Sequence, residues 1–447
     1  MAKIVMLSLG CSKNLVDAEQ MLGVLAHAGH EIITDAESAD VIIVNTCAFI
    51  DDAKEESIEE ILNMSYIAAE TGAKLIVCGC LAQRYKEEIL KEIPEVDAVV
   101  GVTGFPEIAR VVASVGEKKQ VFCPHEDNDL PELPRLLATD SYTAYLKIAE
   151  GCSNHCTYCA IPKIRGKFRS RPMEAVLAEA KELAVNGVKE LIVIAQDTSR
   201  YGMDFDGKPH LAELLSRLCE IEDLRWIRVH YTYPECIDDD LLEVYAKNDK
   251  LLSYFDIPIQ HASDKILKLM GRNTTNQNLC EVISKIRRKL PDAVIRTTVM
   301  VGFPGEDEDD FSVLMDFIKQ MRFDRLGGFA YSEQEDTPSA KLPDKVDEET
   351  KQRRYQSLME TQHKIALELT KNKIGEIMEV VVCGFEDLFY VGRSRGDSLD
   401  VDPKVYFTAE RELCIGEFVQ VEILNNDEYD LIGREFLEGD NDYEFTE

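Results

Sequence analysis

Residues 144–159, AYLKIAEGCSNHCTYC, hold the reading on which the fold turns. AYLKIAE reads as a strand. The loop after it carries Cys152, Cys156 and Cys159 in a C-x-x-x-C-x-x-C spacing. Three thiolates on one short loop can grip three corners of an iron–sulfur cubane. No fourth cysteine lies nearby, so one iron would stay open to a substrate, as a catalytic metal site keeps one position free. Zinc is the competing reading, because it takes four ligands and His155 sits inside the loop as an available fourth. An inert cysteine cluster is the third. Loops at the carboxyl ends of strands are where βα barrels place chemistry, so the flanking pattern bears on the choice.

Downstream, strand-like runs recur at ELIVIAQ (190–196), RWIRVHY (225–231), YFDIPI (254–259), AVIRTTVMVG (293–302) and RLGGFAYS (325–332). Helical patterns such as PMEAVLAEAKELAVNG and DDFSVLMDFIKQM lie between them. Six βα units predict a partial barrel rather than a complete eight-stranded one. A charged helix from about Asp347 to Asn372 leads out, which places this unit at 144–374. In 375–447, short alternating runs (IMEVVVCGF, LFYVGRS, EFVQVEILN) between Gly, Asp and Asn turns predict a small antiparallel barrel of the OB type.

Upstream, residues 1–115 alternate apolar strands with amphipathic helices. The strands are KIVMLSLG (3–10), VIIVNT (41–46), KLIVCG (74–79) and VDAVVG (96–101), which predicts a doubly wound parallel sheet. The charged, proline-bearing stretch 116–143 reads as a linker. Cys11, Cys47 and Cys80 each follow one of these strands. Carboxyl ends of parallel strands share one edge, so three thiolates would meet in one crevice, a second triplet with one iron unprotected. The plainer alternative is that buried cysteines fill small apolar positions, as Cys78 does within its strand.

The 447 residues suffice for two or three domains, and 45% hydrophobic with 30% charged residues is a globular composition. No apolar run approaches the length of a membrane span. The opening MAKIVMLSLGCSKN lacks a small-residue cleavage site, so the expected address is cytoplasmic. Thirteen cysteines at that address do not read as a disulfide framework. A net charge of −33 repels a phosphate backbone and favours a basic protein partner.

Polar residues at strand ends are further site candidates: Gln196 and Asp197, His230, Gln260 and His261. Each could equally be a strand terminus satisfied by nearby backbone. GFPGE, from Gly302 to Glu306, could be a simple turn. Arg165, Lys167, Arg169 and Arg171 form a basic cluster that could meet a carboxylate, or be a solvated surface run.

GCSNHCTYC resembles the cluster loop of the radical S-adenosylmethionine superfamily, with Tyr158 beside the last ligand. SLGCSKNLVDAE, NTCAFID, GCLAQRY, AYLKIAEGC, RGKFRSRP, DIPIQHAS and TTVMVGFPGE extend the resemblance over nearly the whole chain, to the methylthiotransferases and their RimO-type branch. The resemblance implies an α/β protein whose central barrel is of radical S-adenosylmethionine type and whose OB-like tail is a TRAM barrel. It implies two 4Fe-4S clusters, an auxiliary one on Cys11, Cys47 and Cys80 and a radical-generating one on Cys152, Cys156 and Cys159. It implies S-adenosylmethionine as methyl donor and radical source, approached by Tyr158, Gln196, Asp197, Gly302 and Glu306. The implied reaction adds a methylthio group to the β-carbon of an aspartate in the basic small-subunit ribosomal protein S-twelve, with a flavodoxin or ferredoxin as reductant. The alternatives are methylthiolation of a transfer-RNA adenosine and, in another class, an iron–sulfur scaffold without turnover. In 375–447, five Lys plus Arg stand against twenty Asp plus Glu, which disfavours RNA and suits a basic protein.

Overall fold

The computed structural model, which describes residues 1–116, 118–124 and 130–437, holds two six-stranded sheets, a closed five-stranded barrel and one two-stranded sheet. The first has six parallel strands: β1 (Lys3–Ser8), β2 (Glu31–Ile32), β3 (Val41–Thr46), β4 (Lys74–Gly79), β5 (Val96–Val100) and β6 (Gln120–Phe122). They are ordered β2-β1-β3-β4-β5-β6. Every residue of β3 is buried, because helices cover both faces of the sheet. Those helices are α1 (Ser12–His27), α2 (Asp51–Thr71), α3 (Cys80–Glu92) and α4 (Ile108–Ser114).

The linker reading needs correcting at both ends of the stretch. Gln120–Phe122 is a strand that joins the first sheet through β5. Further on, Arg135 pairs with Glu19 of α1 and with Glu179, and the Ala138 N–H donates to Glu19 at 2.7 Å. Residues 130–143 therefore strap the first unit to the second. Residues 117 and 125–129 of that reading, and 438–447 of the acidic tail, lie outside the described residues.

The second sheet is also parallel and six-stranded: β7 (Thr143–Lys147), then, after a short antiparallel pair β8 (Ala149–Glu150) and β9 (Arg169–Ser170), β10 (Glu190–Ile194), β11 (Trp226–Val229), β12 (Leu251–Gln260), β13 (Val294–Val301) and β14 (Arg325–Ala330). Its order is β14-β13-β12-β11-β10-β7, an open partial barrel. β13 alternates half-buried with buried residues. Ile295, Val299 and Val301 pack into the helix-covered core, which leaves Arg296, Thr298 and Met300 on the other face. AYLKIAE is thus two strands, and the second turns Glu150 toward the cysteine loop.

The helix Glu348–Lys371, capped by Asp347, leads to a closed five-stranded barrel: β15 (Ile377–Glu386), β16 (Phe389–Ser394), β17 (Val405–Thr408), β18 (Phe418–Asp427) and β19 (Asp430–Glu435). One contact departs from the antiparallel expectation: β17 and β19 pair in parallel, which closes the barrel. No helix among the described residues is long and apolar enough to cross a membrane.

Candidate functional site

Three chain turns bring Cys11, Cys47 and Cys80 to one sheet edge. Cys11 caps α1, Cys47 follows β3 directly, and Cys80 opens α3 directly after β4. Gly10 makes the convergence possible. It sits at φ +85°, and a Cβ there would lie 2.7 Å from Cys47 Cβ. Burial raises the Cys80 thiol to about 12 despite Arg165 beside it, and also raises Cys47. Cys11 is exposed. Surrounding protein still disfavours its thiolate, but the Lys13 and Arg165 charges prevail and hold the thiol below its ordinary value. Cys78 points into the sheet core, as a small apolar filler does.

Cys152, Cys156 and Cys159 lie in the loop between β8 and α5 (Ile161–Arg165). Gly151, at φ +77°, starts that loop where a Cβ would lie 2.2 Å from the Lys167 carbonyl oxygen. The Cys152 N–H donates to Gly166 at 3.1 Å and the Cys159 N–H to Cys156 at 3.1 Å. Burial pushes Cys152 up to about 11 and Cys159 up to about 12. All thirteen cysteines are free.

Arg165 ties Cys80 of the first triplet to Glu150, ahead of the second. One of its terminal nitrogens donates to Cys80 Sγ at 3.4 Å and to Asn14 Oδ1 at 2.7 Å. The other lies 2.9 Å from Asp17 Oδ2 and 3.1 Å from Glu150 Oε1, two residues before Cys152. Lys147 pairs with the same two carboxylates. These cations hold the buried Glu150 well below the usual carboxylate range, outweighing burial. A cavity of about 440 Å³ opens beside the network, with Lys147, Arg165, Arg169 and Arg171 in its wall. Nearby, the Lys13 ammonium lies 3.4 Å from the centre of the Tyr231 ring.

Three family descriptions match this arrangement in chain order: the uncharacterized protein family UPF0004 over residues 3–101, the radical SAM superfamily over 146–318 and the TRAM domain over 374–435. A relative named ribosomal protein uS12 methylthiotransferase RimO, from Clostridioides difficile, is 52% identical over 97% of this chain and 98% of its own. Another of that name, from Acetivibrio thermocellus, is 49% identical over 96% of this chain and 98% of its own. The chain belongs to the RimO methylthiotransferase family. Among solved structures, the radical S-adenosylmethionine methyltransferase TsrM from Kitasatospora setae, with cobalamin and a [4Fe-4S] cluster bound, superposes with a TM-score of 0.55. That match covers 84% of this chain and 80% of TsrM at 12% identity, so the likeness is one of fold.

In this RimO-family chain the remaining candidates divide. Tyr158 packs edge-on against Phe303 of the GFPGE loop, which brings that loop to the cysteine loop. Gln196 donates to Glu150 at 2.8 Å, while its Oε1 is buried without a hydrogen-bond partner among the described residues. Asp197 is buried, and accepts from Asn154 at 2.7 Å and Ser199 at 2.5 Å. Burial raises its pKa. Glu306 accepts from the Gly302 N–H at 2.7 Å and from Arg354 at 3.0 Å, so it holds its own loop in shape. His261 is buried and accepts from the Ser263 N–H at 3.0 Å. His230 meets Ser398 of the tail at 2.8 Å. Gln260 ends β12 at φ +70°.

The basic cluster is not a solvated run. Arg165 and Arg171 are buried in ion pairs, and only Lys167 is exposed. Sequence reasoning missed Asn14, Asp17, Glu150 and Arg272. The available signal was the polar trio Lys13, Asn14 and Asp17 close after Cys11 at the start of α1, whose burial shows only in the structure.

Proposed function

We propose that this chain adds a methylthio group to the β-carbon of an aspartate of uS12, the small-subunit ribosomal protein S-twelve, by radical S-adenosylmethionine chemistry. The observation that carries it is the pair of cysteine triplets, with Arg165 tying Cys80 of one to Glu150 just ahead of the other, in a chain 52% identical to a RimO relative. Each triplet offers three free thiols to a 4Fe-4S cluster, one short of a full ligand set.

Cys152, Cys156 and Cys159 would hold the central cluster, which would supply the one-electron chemistry that cleaves S-adenosylmethionine and reaches a hydrogen with no acidic character. The chain's own residues prepare the place. Glu150, Lys147 and Arg165 hold the two loops together through ion pairs. Tyr158, Gln196 and Gly302 are the proposed contacts of S-adenosylmethionine, and Asp197 and Glu306 shape the loops that present them. The tail's Arg393, Arg395, Lys404, Arg411 and Arg434 are all ion-paired within the chain, so its acidic excess is left for a basic partner. A cytoplasmic address and a flavodoxin or ferredoxin as reductant belong to the same reading. So does the division 1–115, 144–374 and 375–447, with 116–143 as the connecting strap that also lends Gln120–Phe122 to the first sheet.

The test offers anaerobically reconstituted protein, S-adenosylmethionine and reductant to uS12 and to transfer RNA in parallel. The expected result is a methylthio mass increment on uS12 alone; labelled RNA with unmodified uS12 would reverse the choice. Replacing Cys152, Cys156 and Cys159 by Ala should abolish deoxyadenosine formation. Replacing Cys11, Cys47 and Cys80 should spare it and lose transfer. A scaffold without turnover would make no deoxyadenosine at all.

A further inference from the structure

Two buried guanidiniums each donate to one cysteine sulfur, one in each triplet. Arg165 lies 3.4 Å from Cys80 Sγ, and Arg272 lies 3.7 Å from Cys156 Sγ. The two residues are 2% and 6% exposed, and each is held from several sides. Asn14, Asp17 and Glu150 fix Arg165. The Pro258 carbonyl, at 2.8 Å, and the Tyr233 ring, 4.2 Å from the guanidinium carbon, fix Arg272. Neither charge can be titrated away in the working pH range.

We propose that Arg165 and Arg272 are positioning residues that set the reduction potentials of the two clusters separately, each through its bond to one ligand sulfur. The inference rests on the cluster assignment above. An added electron increases negative charge on the cluster sulfurs. A cationic N–H directed at one of them stabilises the reduced form and raises the potential. Burial strengthens the effect, because little water screens it. Two sites fed by one reductant share its electron according to their potentials. Separate control of each sulfur environment therefore decides where the electron rests before S-adenosylmethionine is cleaved.

The two residues call for different substitutions. Arg272 forms no ion pair among the described residues, so Arg272→Met strands no buried carboxylate. Arg165 neutralises Asp17 and Glu150, so Arg165→Lys keeps the charge while losing the fork that reaches Cys80. Redox titration of the two-cluster protein, followed by electron paramagnetic resonance, should show the central midpoint falling in Arg272→Met with the auxiliary one unmoved. Arg165→Lys should do the reverse. Midpoints that stay put, or that move together in both variants, overturn the proposal.

A second measurement needs no substitution at either arginine. In full-length protein labelled with nitrogen-15 arginine, each reduced cluster is isolated by replacing the other triplet with Ala. Pulsed resonance should then detect one guanidinium nitrogen coupled to each cluster, and its absence from either also overturns the proposal. Iron and sulfide content is measured first. Triplets that bind no cluster defeat the functional reading itself, whereas loaded clusters without coupling defeat only this inference.

Discussion

His230 is 5% exposed and its Nε2 meets Ser398 Oγ at 2.8 Å, so the ring is held neutral inside the protein. Burial is the main cause of its pKa falling from 6.5 to about 3, against the pull of Asp256. Between those values the unfolded chain binds a proton that the folded chain refuses. Stability therefore declines as pH drops below about 6.5, by up to about 1.4 kcal/mol per unit from this residue. Urea titrations from pH 7 to pH 4 should show a shallower decline for His230→Gln than for the parent. Equal slopes would mean that the ring is protonated in the fold. At this scale the positions of the cysteines after strand ends were legible, because spacing along the chain is a local property. His230 was not, since the partner that defines it lies 168 residues away.

The turns that end the strands carry the site, and Gly10 is the most constrained of them. A side chain at φ +85° costs about 1–2 kcal/mol, and here its Cβ would also press on Cys47. Gly10→Ala should lower the melting temperature and reduce iron loading of the auxiliary triplet, while deoxyadenosine formation by the central triplet persists. Normal iron content with an unchanged melt would show that the turn relaxes freely. Element types and order were readable from the runs of buried apolar residues, VIIVNT and ELIVI above all, because parallel strands covered on both faces leave a continuous signal. Gln120–Phe122 was missed. Its three half-buried residues at the sheet edge bury too little to leave a pattern. The strap at 130–143 was missed because its contacts are ion pairs to distant helices, and those leave no periodicity.

Across the molecule, the tail barrel is bolted to the second sheet by Glu190, which pairs with Arg228 at 3.1 Å and with Arg393 at 2.5 Å. Tyr254 donates to Asp402 at 2.6 Å and Trp226 to Glu379 at 2.8 Å, which extends the seam. Glu190→Gln would leave two buried guanidiniums without their carboxylate, a loss of roughly 3–5 kcal/mol. The expected result is a lower urea midpoint and faster proteolysis in 372–376, between the long helix and the barrel. An unchanged midpoint would show that the apolar contacts of the seam suffice alone. Net charge and tail charge were legible as counts. That the tail's few cations are spent on internal pairs became visible only in the fold.

The sequence by itself determined most of the strand runs, their order along the chain and the spacing of the cysteines, because periodicity and spacing are local properties. Only the tertiary structure decided that Arg165 ties Cys80 to the segment ahead of Cys152, that Asp197 accepts from Asn154 of the cysteine loop and Glu306 from Gly302 and Arg354, and that residues 130–143 strap the first unit to the second. Each of these depends on which polar groups are buried against one another. A buried charge must find its partner wherever folding brings one, at any distance along the chain.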